Sequence, residues 1–148
     1  MSDRIGKAIE NMRAGYNCSQ AVVCAYCDLF EVDEVTAYKM AEGFGLGVGG
    51  MKEICGAVSG MVMVAGLKNS NGELSGPRTK ADTYKLVKEM VKEFQTMNTS
   101  ILCRDLLGSP GQPKLRSCGG CVKDASMLVE KYLLGAVPED HGEPEDHS

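Results

Sequence analysis

The chain has 148 residues, 43% of them hydrophobic and 24% charged, with a formal net charge of −4 and no tryptophan. That length suits one domain able to bury a core without covalent staples. A nucleic-acid interface wants a basic face and stacking aromatics, and an acidic chain that is 5% aromatic offers neither, so no nucleic-acid partner is expected.

Residues 1–15 interleave Asp3, Arg4, Lys7, Glu10 and Arg13 with apolar positions and lack the apolar stretch of a secretory signal. Ser2 caps a helix to about Ala14, with Ile5, Ala8, Ile9 and Met12 on one face. Gly15 ends it. Asn17 caps a second helix, about Cys18 to Phe30, and Gln20 stands where a capping box needs it. This helix is nearly all apolar and belongs in the core. Asp33 opens a third helix, through about Glu42.

Gly45-Leu46-Gly47-Val48-Gly49-Gly50 is too rich in glycine for helix and must be a tight loop. A fourth helix follows, about Glu53 to Leu67. The apolar run Ile54 to Leu67 is broken by Gly56, Ser59, Gly60 and Gly66, and it is shorter than the roughly 20 residues a bilayer span needs. It is a buried central helix, not a membrane insertion. Its small residues allow close approach of another backbone, which also permits a homodimer.

Pro77 fits the first position of a fifth helix reaching about Thr96, with Ala81, Tyr84, Val87, Val91 and Phe94 as its inward stripe. A short helix over Ile101 to Leu107 carries Cys103, and a last helix runs from about Cys118 to Leu134. The expected fold is all-α: one compact domain, residues 1–136, of six or seven helices, followed by an acidic flexible tail, residues 137–148.

Seven cysteines are many for such a chain, and their odd number argues against a complete disulfide framework. With no export signal the expected location is cytoplasmic, where thiols stay reduced and more often serve as metal ligands or redox groups. Cys18, Cys55 and Cys121 (with Cys118) each fall in the first turn of a predicted helix. The N–H groups and dipole there favour a thiolate, which is both the nucleophile and the metal ligand. Cys103 joins them from mid-helix, with Arg104 and Lys114 as nearby positive charge. Cys24 and Cys27 lie six and nine positions after Cys18, at about 120° and 180° around the helix, and read as small buried apolar residues. Some 90 residues separate Cys24-Ala25-Tyr26-Cys27 from Cys118-Gly119-Gly120-Cys121, against about 15–20 in common paired zinc motifs.

Other chemistry lacks its residues. Asp28 and Val122 follow the two CxxC pairs where c-type haem attachment needs His. The histidines, His141 and His147, lie in the tail and leave no ordered Cys–His pair. The glycine loop has no strand before it and no Lys-Ser/Thr after it, which disfavours nucleotide binding.

Asn17-Cys18-Ser19-Gln20, then Gly43 through Gly50, Cys55-Gly56-Ala57-Val58-Ser59-Gly60, Cys103-Arg104-Asp105-Leu106 and Cys121-Val122-Lys123-Asp124 in that order resemble the C_GCAxxG_C_C family of small proteins grouped as redox-active. The resemblance covers most of the chain. It implies a helical protein with four characteristic cysteines, to which Cys24, Cys27 and Cys118 are additions. Similar segments occur in split-Soret cytochromes, whose haem-attachment motifs are absent here.

The reading that follows is a redox-active protein whose Cys18, Cys55, Cys103 and Cys121 hold an iron–sulfur cluster for electron transfer or redox sensing. Backbone N–H groups at Gly49, Gly50 and Gly56 would cradle the cluster's sulfur atoms. Two alternatives use the same residues: a metal-free thiol/disulfide couple, and a structural zinc domain for protein association. A scaffold of inert buried cysteines is the fourth. The expected partner is a redox protein, the chain acting as electron carrier or oxidoreductase with no specific reaction assignable.

Overall fold

The computed structural model describes residues 3–135, so the tail from 137 and both histidines lie outside the described residues. Seven α-helices form the fold: α1 (Arg4–Arg13), α2 (Cys18–Tyr26), α3 (Glu34–Ala41), α4 (Gly56–Asn69), α5 (Lys80–Asn98), α6 (Cys103–Leu107) and α7 (Cys118–Leu133). Short 3-10 turns extend α2 at Cys27–Phe30 and follow α3 at Glu42–Phe44. Among the described residues pairing of β type is confined to two isolated bridges, Ile54 with Leu102 and Ser109 with Gln112. The all-α expectation holds.

The central helix is α2, all nine of whose residues are buried. The Asn17 side chain accepts from the Gln20 N–H, and the Gln20 side chain accepts from the Asn17 N–H, both at 2.9 Å, so the expected capping box forms. α1 lays Ile5, Ala8, Ile9 and Met12 against the core as its spacing predicts. Arg4 reaches across to the end of α2, donating to the Ala25 carbonyl at 2.9 Å and pairing with Asp28.

α4 packs chiefly on α2, and glycine makes the approach. A Cβ at Gly60 would stand 2.9 Å from the Ser19 carbonyl oxygen and 3.0 Å from Val22 Cβ, closer than carbon tolerates. The small residues of this helix therefore serve contact within the chain. α4 starts at Gly56 instead of Glu53, because Lys52, Glu53 and Cys55 use their backbones to pair with residues 101–104.

α5 departs furthest from expectation. Pro77 follows a cis peptide bond, three residues before the helix begins at Lys80. The buried stripe is Met90, Phe94 and Asn98. Ala81 and Tyr84, expected inside, are exposed, so the first turns of α5 run along the surface, held by the Asn69 side chain donating to Thr83 at 2.9 Å, and its second half is the more deeply anchored.

α7 closes the bundle with 13 of its 16 residues buried, and Ser117 caps it by accepting the Gly120 N–H at 2.9 Å. The phenol of Tyr26 donates to Glu130 at 2.8 Å, tying α2 to α7 inside the protein. Tyr26→Phe removes the donor and leaves a buried carboxyl group under-satisfied. A loss of about 1–3 kcal/mol in unfolding free energy is expected from urea titration.

Candidate functional site: a cavity walled by five sulfurs

The site is built where four helices begin. Cys18 is the first residue of α2, Cys118 of α7 and Cys103 of α6, while Cys55 is the capping residue of α4. Cys121 stands one turn into α7. The expectation that Cys103 lies mid-helix is corrected, since Leu102 is extended and bridged to Ile54. The Cys55 N–H donates to the Ile101 carbonyl at 2.8 Å, and the Cys103 N–H donates to the Glu53 carbonyl at 2.6 Å. These two bonds flank the Ile54–Leu102 bridge and hold Cys55 beside Cys103 although nearly fifty residues separate them.

Cys18, Cys55, Cys103, Cys118 and Cys121 line one cavity together with Leu46, Gly56, Leu106, Leu107 and Arg116. The four cysteines of the sequence reading thus come together, and Cys118 is a fifth. None of the five is more than 9% exposed. The space between them is about 20 Å³, room for about one water-sized group. All seven cysteines of the chain are thiols outside any disulfide. Among the described residues no group of three or more His, Cys, Asp or Glu is gathered closely enough to hold a metal ion in the arrangement present.

The sulfurs pair off instead. Cys121 donates its S–H to Cys55, and this bond is the main reason the Cys55 thiol is held below its ordinary pKa, with the N–H groups of Val58 and Ala57 assisting and burial opposing. The cap contact is electrostatic, since the Cys55 side chain makes no full capping hydrogen bond. Cys121 is pushed up by the same bond, by burial and by the other sulfurs. Cys18 is likewise raised, first by its hydrogen bond with Cys118, then by burial and the neighbouring sulfurs. Cys103 is pushed up to about 11, mainly by burial, with Lys52 opposing. Cys55 is therefore the first of these to carry negative charge, and each further thiolate costs more than the last unless a cation joins them.

The glycine loop is wound left-handed. Leu46, Gly47, Val48, Gly49 and Gly50 have φ of 52°, 69°, 64°, 60° and 80°, a conformation that leucine and β-branched valine adopt only under strain. Gly47 is required here, because a Cβ would meet Lys52 Cα at 2.7 Å. The coil holds Leu46 against the cavity. The N–H groups of Gly49 and Gly50 donate to the Gly43 and Gly45 carbonyls at 2.8 and 3.3 Å, so they are engaged within the loop. Of the three glycines expected to cradle a group, Gly56 lines the cavity. A Cβ on it would crowd the Phe44 carbonyl at 3.1 Å and Cys18 Cβ at 3.3 Å.

Arg116 also lines the cavity. Its Nε and Nη2 donate to the Asp124 carboxylate at 3.1 and 3.2 Å. Arg104, expected as nearby positive charge, turns to Glu53 and the Lys52 carbonyl. Cys118 was legible as a site residue from the Ser117 cap, which places it in the same helical turn as Cys121. Arg116 was not, because its orientation depends on a carboxylate eight residues away.

Cys24 and Cys27 lie elsewhere. Their thiols donate to the Glu34 and Cys24 carbonyls at 3.8 and 3.9 Å, and burial pushes Cys24 up to about 12. They pack as small core residues.

No helix among the described residues is long and apolar enough to cross a membrane. No curated protein and no solved structure matches the chain. One family model does, over residues 16–132, and it carries the description "Putative redox-active protein (C_GCAxxG_C_C)". That span runs from the turn before Cys18 to the last turn of α7 and includes every cysteine that lines the cavity, so the chain belongs to the C_GCAxxG_C_C family.

Proposed function

We propose that the five-sulfur cavity is a redox centre and that its working form holds an iron–sulfur cluster for electron transfer or redox sensing. The observation that carries this reading is the convergence of five buried thiols, from four separate segments, on one cavity. Core packing alone has no need to gather them, as the separate burial of Cys24 and Cys27 illustrates. Cys18, Cys55, Cys103 and Cys121 are the ligand set, and Cys118 lines the same cavity as a fifth thiol.

The donor chemistry fits: thiolates are the usual ligands of such clusters, and a bound cluster supplies reversible electron transfer. Helix starts at Cys18, Cys55 and Cys118 offset the negative charge that ligation gathers. Burial excludes water and blocks the mixed disulfide that thiol exchange with another protein requires. A space of about 20 Å³ admits one atom-sized group, so taking up a cluster requires the paired thiols to part and Leu46 on its strained loop to move outward.

A second reading has its own support. Cys55 and Cys121 both line the cavity and are free thiols, as the two sulfurs of a dithiol that oxidises to a disulfide must be. The two thiols would then give up two electrons and two protons.

Purification without oxygen, with iron, sulfide, zinc and thiol analysis, separates the readings. The expected result is brown protein with iron and acid-labile sulfide in equal amounts and a visible spectrum that bleaches on reduction. One zinc per chain without iron would point to a structural domain. Metal-free protein that reversibly loses two thiols would favour the dithiol, and metal-free protein with inert thiols would remove both redox readings.

A further inference from the structure

We infer that Arg116 is a positioning charge for the cavity: its guanidinium, fixed beside the sulfurs, raises the reduction potential of the couple they carry. This rests on the reading of the cavity as a redox centre, and it is the same whether the couple is a cluster or a dithiol.

Three observations carry it. Arg116 lines the cavity alongside the five cysteines. Its guanidinium is held by two parallel hydrogen bonds to Asp124, at 3.1 and 3.2 Å, and the Asp124 side chain is only 9% exposed. This forked contact fixes orientation as well as charge, which lysine cannot do. The third is the surface on which the arginine rests. Gly120 lies in the first turn of α7, between Cys118 and Cys121, and a Cβ there would come within 2.6 Å of the guanidinium carbon. The glycine leaves the space that Arg116 occupies.

The consequence follows from charge. Reduction adds an electron to a cluster, or converts a disulfide, which carries no charge, to sulfurs that can ionise. Either way the reduced form is the more negative. A fixed cation beside it, in a site screened from water, stabilises that form and raises the potential.

The test uses the full chain, prepared anaerobically, with the midpoint potential read by spectroscopic titration if iron is present and by thiol alkylation against a glutathione buffer if it is not. Arg116→Gln is expected to shift the equilibrium at least tenfold toward the oxidised form, which is a fall of 59 mV for a one-electron couple or about 30 mV for two electrons. Gly120→Ala changes no charge, and the atom it displaces is the end of a flexible side chain, so folding is retained. It is expected to lower the potential in the same direction. Arg116→Lys is expected to fall between wild type and Arg116→Gln.

Potentials of Arg116→Gln and Gly120→Ala within twofold of wild type, in a protein that does show a reversible couple, would overturn the inference and leave the redox reading standing. A fall in Arg116→Gln without one in Gly120→Ala would overturn the positioning role that Gly120 is given. Wild-type protein with no reversible couple would overturn the redox reading, and the inference with it.

Discussion

Replacing Cys55 by serine is expected to reduce bound iron and sulfide at least tenfold while leaving the fold intact. Cys55 caps α4, and serine is among the best capping residues whereas a thiol is not. The metal-free variant should therefore unfold within about 1 kcal/mol of the metal-free wild type, or slightly later. What the change removes is a cavity sulfur whose pKa is held down, by the Cys121 S–H and the N–H groups of Val58 and Ala57. Cys24→Ser, a change of the same chemistry on the same bundle but away from the cavity, is expected to retain full iron. Metal analysis of anaerobic preparations and thermal unfolding of the metal-free forms check the pair. Equal iron in wild type and Cys55→Ser would remove Cys55 from the ligand set.

The opposite dissociation is expected at Phe94. This side chain is fully buried, and with Met90 and Asn98 it makes up the buried stripe of α5. Phe94→Ala leaves a cavity that the anchored half of the helix cannot close, and about 3–5 kcal/mol of stability should be lost. The residues lining the sulfur cavity come from α2, α4, α6, α7 and the segments that precede them, with none from α5. Below its unfolding transition the variant should thus take up as much iron as wild type. Urea titration and metal analysis together test this. A loss under 1 kcal/mol, or an iron deficit as deep as that of Cys55→Ser, would show that α5 is coupled to the bundle differently from the packing described.

These contrasts indicate which features a sequence carries openly. Helices with an apolar face at regular spacing were legible: α1, α2, α3 and α7 begin close to where the sequence places them, with Asn17 and Asp33 capping as expected, while the expected cap Ser2 lies outside the described residues. The placement of Cys18 at a helix start followed from Asn17, and Ser117 caps the helix that Cys118 begins. Features that depend on pairing distant segments were not legible. The start of α4 shifted because residues 52–55 bond to 101–104, and the same pairing turned Cys103 from a mid-helix residue into a first residue. Ala81 and Tyr84 have the spacing of a buried stripe and are exposed, because spacing does not reveal where the neighbouring helices stop. The glycine loop was recognisable as a loop, yet its left-handed winding, which consumes the Gly49 and Gly50 N–H groups, could not be read from glycine content.

The strain in that loop bears on function. Leu46 and Val48 are held in a backbone region that costs each about 1–2 kcal/mol, and the cost is borne where Leu46 covers the sulfurs. A loop under such strain has a low threshold for rearrangement, which is what enlarging a cavity of about 20 Å³ would require.

Cadmium binding followed by mapped thiol alkylation tests the shared cavity most directly, because this ion reports thiolates without redox chemistry. One equivalent per chain is expected to shield at least four of Cys18, Cys55, Cys103, Cys118 and Cys121 together, with no change at Cys24 or Cys27. Shielding of two cysteines or fewer, or several ions bound at independent sites, would show that these sulfurs cannot act on a common centre.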